Sequence, residues 1–496
     1  MRIGRAVITV LVTLCIAVPC FAQTKPVPES GAPQKPADYS QEGAVIEHFG
    51  IRLTFEADGS SVREVNAVVK VQADAGVQEL AVLKFAYTSS TENLEIDYVR
   101  VRKADGTVVN TPAYNIQDLP ADNTREAPMY SDIHEKHITV KALGVGDTLE
   151  YLIRYRTTKP EIPGQFWYAH NFIKDSICKE EILEINVPQD KYVKVSSTEQ
   201  QPQVREEGSR KIYTWKTSNL ESKEENKKEI PRRESPRPAV EVTTFHGWDE
   251  VGAWYAALQK DQLTVTPDVQ KKAAEITKGL TTDDEKIQAL YVYVSTHFHY
   301  VSLSFGIGRY QPHTADDVLG NEYGDCKDKH TLFATLLKAV GIDAWPALIN
   351  SSRKIDDDLP APSSFDHVIT VIPRGNPMIW LDTTPEVGPF GFLFATLRGK
   401  EALVIPTSKP AALMKTPENM PFPFLETFTA EAKLSSEGVL TGHMVRVMRG
   451  DSEVLMRIGY RRVPQAKWQE LTQRISYASN FAGDVTDVKV TTPEDT

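Results

Sequence analysis

Hydrophobic periodicity switches twice along this chain, and the switches limit what it can fold into. From residue 44 to 220, polar and apolar residues alternate in short runs divided by turn signals. "GIRLTFEADGSSVREVNAVVKVQ" turns at Asp58-Gly59, and "YVRVRKADGTVV" turns at Asp105-Gly106. "HITVKALGVGDTLEYLIRYRT" sets two strands around a turn at 144–147, and "CKEEILEINVP" adds another. A period of two with such turns predicts a β-rich domain built as an antiparallel sandwich. Residues 221–244 open with "ESKEENKKEIPRRESPRP", whose charges and prolines predict a linker.

From 245 to 402 the period lengthens. "WDEVGAWYAALQK" is helical, Thr266 and Pro267 can start the next helix, and Thr282 with Glu285 forms a capping box before "KIQALYVYV". The helix after Cys326 carries Leu332, Phe333, Leu336, Leu337 and Val340 on one face and stops before Gly341. Strands then follow in "AWPALIN", "HVITVIP" and "MIWLDTT", an α+β layout. Residues 403–496 return to alternation in "ETFTAEAKLSSEGVLTGHMVRVMRG", with one helix near "PQAKWQELTQRIS" and a strand-like "VTDVKVTT". That region is mostly β, and its abrupt stop leaves room for a further domain.

Residues 1–22 read as a secretory signal, with Arg2 and Arg5 before an apolar run at 7–19 and Ala22 at the cut. The run is shorter than the roughly 20 residues that span a bilayer. Pro19 and Ala17 suit lipid attachment at Cys20 poorly. The mature chain is expected to begin near Gln23 with a flexible lead-in over 23–43, to be exported to the periplasm or beyond, and to keep no membrane insertion. A formal charge of -11 over 496 residues argues against nucleic-acid binding, which needs a basic excess. After the signal only Cys178 and Cys326 remain, too few for a disulfide framework. We expect Cys178 to be structural and Cys326 to be chemical.

The stretch "GDCKDKHTLFATLLKAVGIDAWPALI" holds Cys326 at the mouth of its helix. Helix N-termini favour a thiolate, and their free N–H groups can hold an oxyanion. A buried packing cysteine is the plainer alternative. Downstream, "SSFDHVITVIP" puts His367 at a strand entry and "MIWLDTTPEVGPFG" puts Asp382 near the end of the next strand. Nucleophile, base and orienter in that order are what acyl transfer needs.

"YGDCKDKHTLFATLLKAVGIDA", "FDHVITVI" and "WLDTT" resemble the three motifs of the transglutaminase-like superfamily, a papain-like cysteine fold. The longer "PHTADDVLGNEYGDCKDKHTLFATLLKAVGI", with "LGVGDTLEYLIRYR" upstream, is similar to bacterial exported proteins that place a DUF3857 domain before such a core. The resemblance implies a catalytic triad of Cys326, His367 and Asp382 and attack on a carbonyl carbon. It implies no particular substrate. Tyr291, Tyr300 and Gln311 are candidates for a side-chain oxyanion donor. His297, His299, His313 and His330 lack an acidic partner at metal spacing, so neither metal nor cofactor is expected. Asp325 and Asp328 suit the helix dipole, and Trp167, Trp248 and Trp254 read as packing residues. The expected function is cysteine-dependent acyl transfer on a peptide, protein or cell-envelope amide, hydrolysis ahead of cross-linking. The alternative is a non-catalytic peptide- or envelope-binding scaffold that keeps the fold.

Overall fold

Side chains that alternate across a pleat need a sheet with one face against a core, and the first segment builds it. A computed structural model of the chain describes residues 39–121, 133–221, 235–301, 310–375 and 377–495. The expected signal and most of the lead-in lie outside the described residues, as does most of the charged connector. Residues 40–496 form one compact unit.

An eight-stranded sheet runs in the order Gln203–Glu207, Arg210–Asn219, Cys178–Pro188, Ala44–Phe55, Ser61–Val71, Thr148–Thr157, Glu92–Arg102, Val108–Asn110. The expected turns at Asp58-Gly59 and Asp105-Gly106 close two of its regions, with Gly59 and Gly106 at positive φ. One neighbour pair departs from the antiparallel pattern: Ala44–Phe55 lies parallel to Cys178–Pro188. Parallel neighbours need a long crossover, and the intervening chain supplies further sheets. Val82–Thr88, Ile133–Thr139 and Ile116–Pro120 form a three-stranded sheet, packed through Leu83 and Ile138 onto Ala67, Val99 and Leu149 of the large one. The strands on either side of the 144–147 turn therefore belong to different sheets. Asp147 fixes that corner, accepting from the Gly144 N–H at 2.7 Å and pairing with Lys103 at 2.6 Å.

A third sheet sets Val240–Thr243 between Lys194–Ser197 and Trp167–His170. This strand falls inside the stretch read as a linker. Val240 and Val242 are buried with Leu183, Trp215 and Phe166, so apolar burial outweighs the local charge. Between them Glu241 pairs with Arg353 at 2.9 Å, tying this sheet to the region that follows.

That region begins with helices Trp248–Lys260, Pro267–Ile276, Asp283–His297, Ala315–Asn321 and Cys326–Ala339. Thr266 accepts from the Val269 N–H, and Thr282 with Glu285 closes the expected capping box. A five-stranded antiparallel sheet follows in the order Ile379–Leu381, His367–Ile372, Trp345–Ile349, Glu401–Val404, Ala412–Lys415. It extends past residue 402: strand Glu401–Val404 straddles that bound, and Ala412–Lys415 lies in the segment read as the C-terminal region. Helix Cys326–Ala339 is buried from Cys326 through Leu337, not along one stripe. Helices Pro267–Ile276 and Asp283–His297 and strand His367–Ile372 pack around it.

The C-terminal part is a hairpin, Leu425–Leu434 with Leu440–Arg449, followed by helices Asp451–Arg461 and Trp468–Ala478. The first of these helices was not anticipated. "VTDVKVTT" forms no strand: Asp487 takes a positive φ, and the Val485 N–H donates to Gln473 of the last helix at 2.7 Å. Among the described residues no helix is long and apolar enough to cross a membrane.

Helix Trp248–Lys260 docks closely on the sheet. A Cβ at Gly252 would lie 2.1 Å from the Ala411 Cβ. Gly252→Val is therefore expected to cost about 1–3 kcal/mol in urea unfolding, and unchanged stability would contradict this packing.

Candidate active site

The site starts from a cramped turn. Glu322, in a left-handed conformation, ends helix Ala315–Asn321, and Tyr323–Gly324 then pairs with His299–Tyr300. Gly324 is needed there because a Cβ would sit 2.7 Å from the Asp328 Cβ. Asp325 caps the next helix, accepting from the N–H groups of Lys327 at 3.1 Å and Asp328 at 3.2 Å. Its carboxylate also pairs with the buried Lys327 ammonium. Asp328 is held in turn by His313, whose backbone N–H donates to it at 2.8 Å and whose Nδ1 lies 3.1 Å away. Cys326 is the first residue of the helix and is 2% exposed.

His367 opens its strand and Asp382 follows the next one. The two strands pair as far as Thr370↔Leu381, and Asp382, the next residue, leaves the ladder within reach of His367. The His367 Nε2–H donates to Asp382 Oδ2 at 3.0 Å. The other carboxylate oxygen accepts from Thr384 N–H at 2.9 Å and Thr384 Oγ1 at 2.8 Å. Cys326 is an electrostatic neighbour of the same imidazole and favours its protonated form. Burial opposes protonation of His367, yet the Asp382 carboxylate and Cys326 outweigh it and hold the imidazole well above its ordinary range. Burial likewise works against the Asp382 charge, but His367 and the Thr384 donors keep that carboxyl below its usual value. The three residues singled out in the sequence thus come together in one buried constellation.

The other candidates separate. The Tyr291 hydroxyl sits 3.0 Å from the Gly388 carbonyl and 3.1 Å from the Asp382 carbonyl, bracing the loop behind the carboxylate and not facing the thiol. Tyr300 packs at the edge of the apolar cluster that holds Cys326, and Gln311 lines a cavity beside Trp254. The histidines scatter: His297 Nδ1 lies 3.2 Å from the Tyr293 carbonyl, and His330 Nδ1 lies 2.7 Å from Thr370 Oγ1. Among the described residues no group of three His, Cys, Asp or Glu could hold a metal ion. Cys178 and Cys326 are both free thiols. Cys178 donates to the Glu180 carbonyl at 3.5 Å, and burial, with Glu181 adding to it, pushes this thiol up to about 11.

Two buried residues went unremarked in the sequence. Lys329 donates to the Phe298 carbonyl at 2.7 Å and to the Ser295 carbonyl at 3.2 Å, joining the end of helix Asp283–His297 to the cysteine helix. Burial pushes its ammonium down to about 7. Tyr255 is buried in the apolar cluster that contains Cys326. Lysine beside an aspartate reads as surface charge, and tyrosine at helical spacing reads as core, so neither stood out.

His330 carries a pH consequence. Burial pushes its imidazole down to about 3, so the folded chain leaves it neutral where the unfolded chain, near 6.5, takes up a proton. Stability should fall as pH drops below 6.5. Between pH 6.5 and 5 the wild type should lose about 2 kcal/mol more than His330→Leu in urea unfolding. Equal losses would contradict a neutral buried His330.

Residues 57–224 match the family model of a domain of unknown function, DUF3857, and residues 270–352 match that of the transglutaminase-like superfamily. None of the curated proteins matches the chain. Among solved structures, a putative protease from Parabacteroides distasonis superposes with a TM-score of 0.62 at 16% identity, covering 76% of this chain and 72% of that one. A zinc metallopeptidase from Deinococcus radiodurans aligns at a TM-score of 0.21 and 12% identity over 41% of this chain and 43% of its own, too low to carry any argument. The Parabacteroides protein shares the fold. The chain joins a DUF3857 domain to a transglutaminase-like region, in the order its motifs led us to expect.

Proposed function

We propose that this protein is an exported, cysteine-dependent hydrolase of amide bonds in peptides or cell-envelope polymers. One observation carries the reading: a buried imidazole bonds a carboxylate 3.0 Å away and is held protonated in part by a cysteine at a helix start. In the proposed reaction the Cys326 sulfur attacks the amide carbonyl carbon and the C=O electron pair moves to oxygen. The Asp325 carboxylate takes the N–H groups of Lys327 and Asp328, so the first-turn donor left to meet that developing charge is the backbone N–H of Cys326 itself. His367 gives its proton to the departing amine nitrogen as the C–N bond breaks, leaving a thioester. Water then loses a proton to His367, attacks the thioester, and frees the acid and the thiol. Asp382 keeps the ring oriented and stabilises the imidazolium. The description of the Parabacteroides neighbour as a putative protease supports this reading, and the apolar run at residues 7–19 supports export.

A binding scaffold is the competing reading, favoured by the burial of Cys326 to 2% exposure. Iodoacetamide at neutral pH separates the two. It should alkylate Cys326 and spare Cys178, and a Cys326 as unreactive as Cys178 would contradict the enzyme reading. On a quenched-fluorescence peptide library, Cys326→Ala and His367→Ala should each lower turnover by about 10³-fold or more, and Asp382→Asn should give a similar or milder loss. Thermal stability of Cys326→Ala should stay close to wild type. If that variant melts at a lower temperature yet still cleaves the library as before, the cysteine is a packing residue.

The pH profile has a definite sense. His367 titrates well above 6.5, so the alkaline limb of turnover should begin above that value as the general acid is lost. Alkylation by iodoacetamide needs no proton donor and should not share this alkaline decline. A turnover maximum that fades already near pH 6.5 would contradict the pairing with Asp382.

A further inference from the structure

A cleft opens between the N-terminal sheets and helix Trp248–Lys260, next to the cluster that holds Cys326. One cavity of about 160 Å³ is lined by Thr91, Lys159, Glu161, Trp254, Tyr310 and Gln311. A second, of about 220 Å³, shares Lys159 and Glu161 and adds Glu92 and Trp167. Water's share of liquid volume is about 30 Å³, so either cavity admits a group of several heavy atoms. Trp254, Trp167 and Ile162 pack on the apolar cluster that contains Cys326, so the cleft borders the thiol's surroundings.

Its walls have a consistent chemistry. The Trp254 ring meets Tyr310 edge-on at 5.0 Å, and Trp167 meets Tyr310 at 6.2 Å and Trp254 at 6.3 Å. Glu161 stands beside this aromatic box and forms no ion pair among the described residues. Lys159, at the rim, is exposed and does not pair with it either. Glu161 is exposed to solvent at the mouth of the cleft, where Glu92 also lines the wall. The Trp254 indole N–H is buried with no acceptor among the described residues. An uncompensated carboxylate against aromatic faces attracts a cation by charge and by the ring quadrupoles together.

We propose that this cleft, through Glu161, Trp254 and Tyr310, is a substrate subsite that takes a cationic side chain, lysine or arginine, of the peptide attacked at Cys326. The proposal rests on the hydrolase reading above and names its substrate class. It also gives the N-terminal β-rich part a role: that part supplies Glu161, one wall of the specificity pocket.

The test uses the full chain and N-acetylated tripeptide chloromethyl ketones that carry lysine, norleucine or glutamate at each position in turn. The Cys326 sulfur displaces chloride from the ketone, and the rate of alkylation is read by mass spectrometry. At one position the lysine probe should react about 10-fold or more faster than the norleucine probe, and the glutamate probe should be slowest. Glu161→Gln should bring the lysine and norleucine rates to within about twofold and leave the iodoacetamide rate unchanged, since iodoacetamide has no side chain to seat. Trp254→Phe should weaken the preference while keeping the fold. If iodoacetamide labels Cys326 but lysine confers no advantage at any position, or the advantage survives Glu161→Gln, the subsite is overturned and the nucleophile stands. If iodoacetamide fails to label Cys326, the hydrolase reading falls and the subsite falls with it.

Discussion

The ion pair between His367 and Asp382 is the interaction on which the rest of the site depends. Both groups are buried, and burying either charge alone would be costly. Together, with Thr384 filling the remaining carboxylate oxygen, they make a charged unit that the interior tolerates. The surrounding fold can be read as the means of holding that unit against a helix start. The five-stranded sheet brings the start of one strand beside the end of its neighbour, and Tyr291 braces the loop behind the aspartate. The Asp325 cap, with Lys327 and Asp328 locked around it, pins the first turn of the cysteine helix.

The price of this arrangement is a helix with almost no solvent face. Lys327, Asp328, Lys329 and His330 are all buried, although four such residues in a row would ordinarily mark a surface. Each has a specific neighbour, Asp325, His313, two backbone carbonyls and Thr370, although His330 Nε2 has no acceptor or donor among the described residues. The polar residues that follow the cysteine are therefore a scaffold in their own right. They fix the helix in rotation and depth, which an all-apolar segment would do less specifically.

Much of this was legible in the sequence, for identifiable reasons. Turn pairs such as Asp58-Gly59 and caps such as Thr266 and Thr282 act locally, so spacing alone located them. The order of Cys326, His367 and Asp382 was readable because adjacent strands bring short sequence separations together. What escaped was set by distant parts of the chain. The parallel pairing of Ala44–Phe55 with Cys178–Pro188 spans more than a hundred residues and leaves no local trace. Val240–Thr243 was hidden by the charge around it, and the two strands beyond residue 400 carry no signal of which sheet they join. Trp254 read as packing because its partners, Tyr310 and Glu161, lie far away in the chain.

The account turns on whether His367 is an imidazolium in the folded protein. Nitrogen NMR of histidine-labelled protein, with His367 assigned by its absence in His367→Ala, reads this directly. The account predicts that the ring keeps both protons well above pH 6.5, with the Nε2–H shifted by its bond to Asp382, and that Asp382→Asn lowers the titration. A His367 ring that titrates at or below 6.5, unmoved by Asp382→Asn, would contradict it.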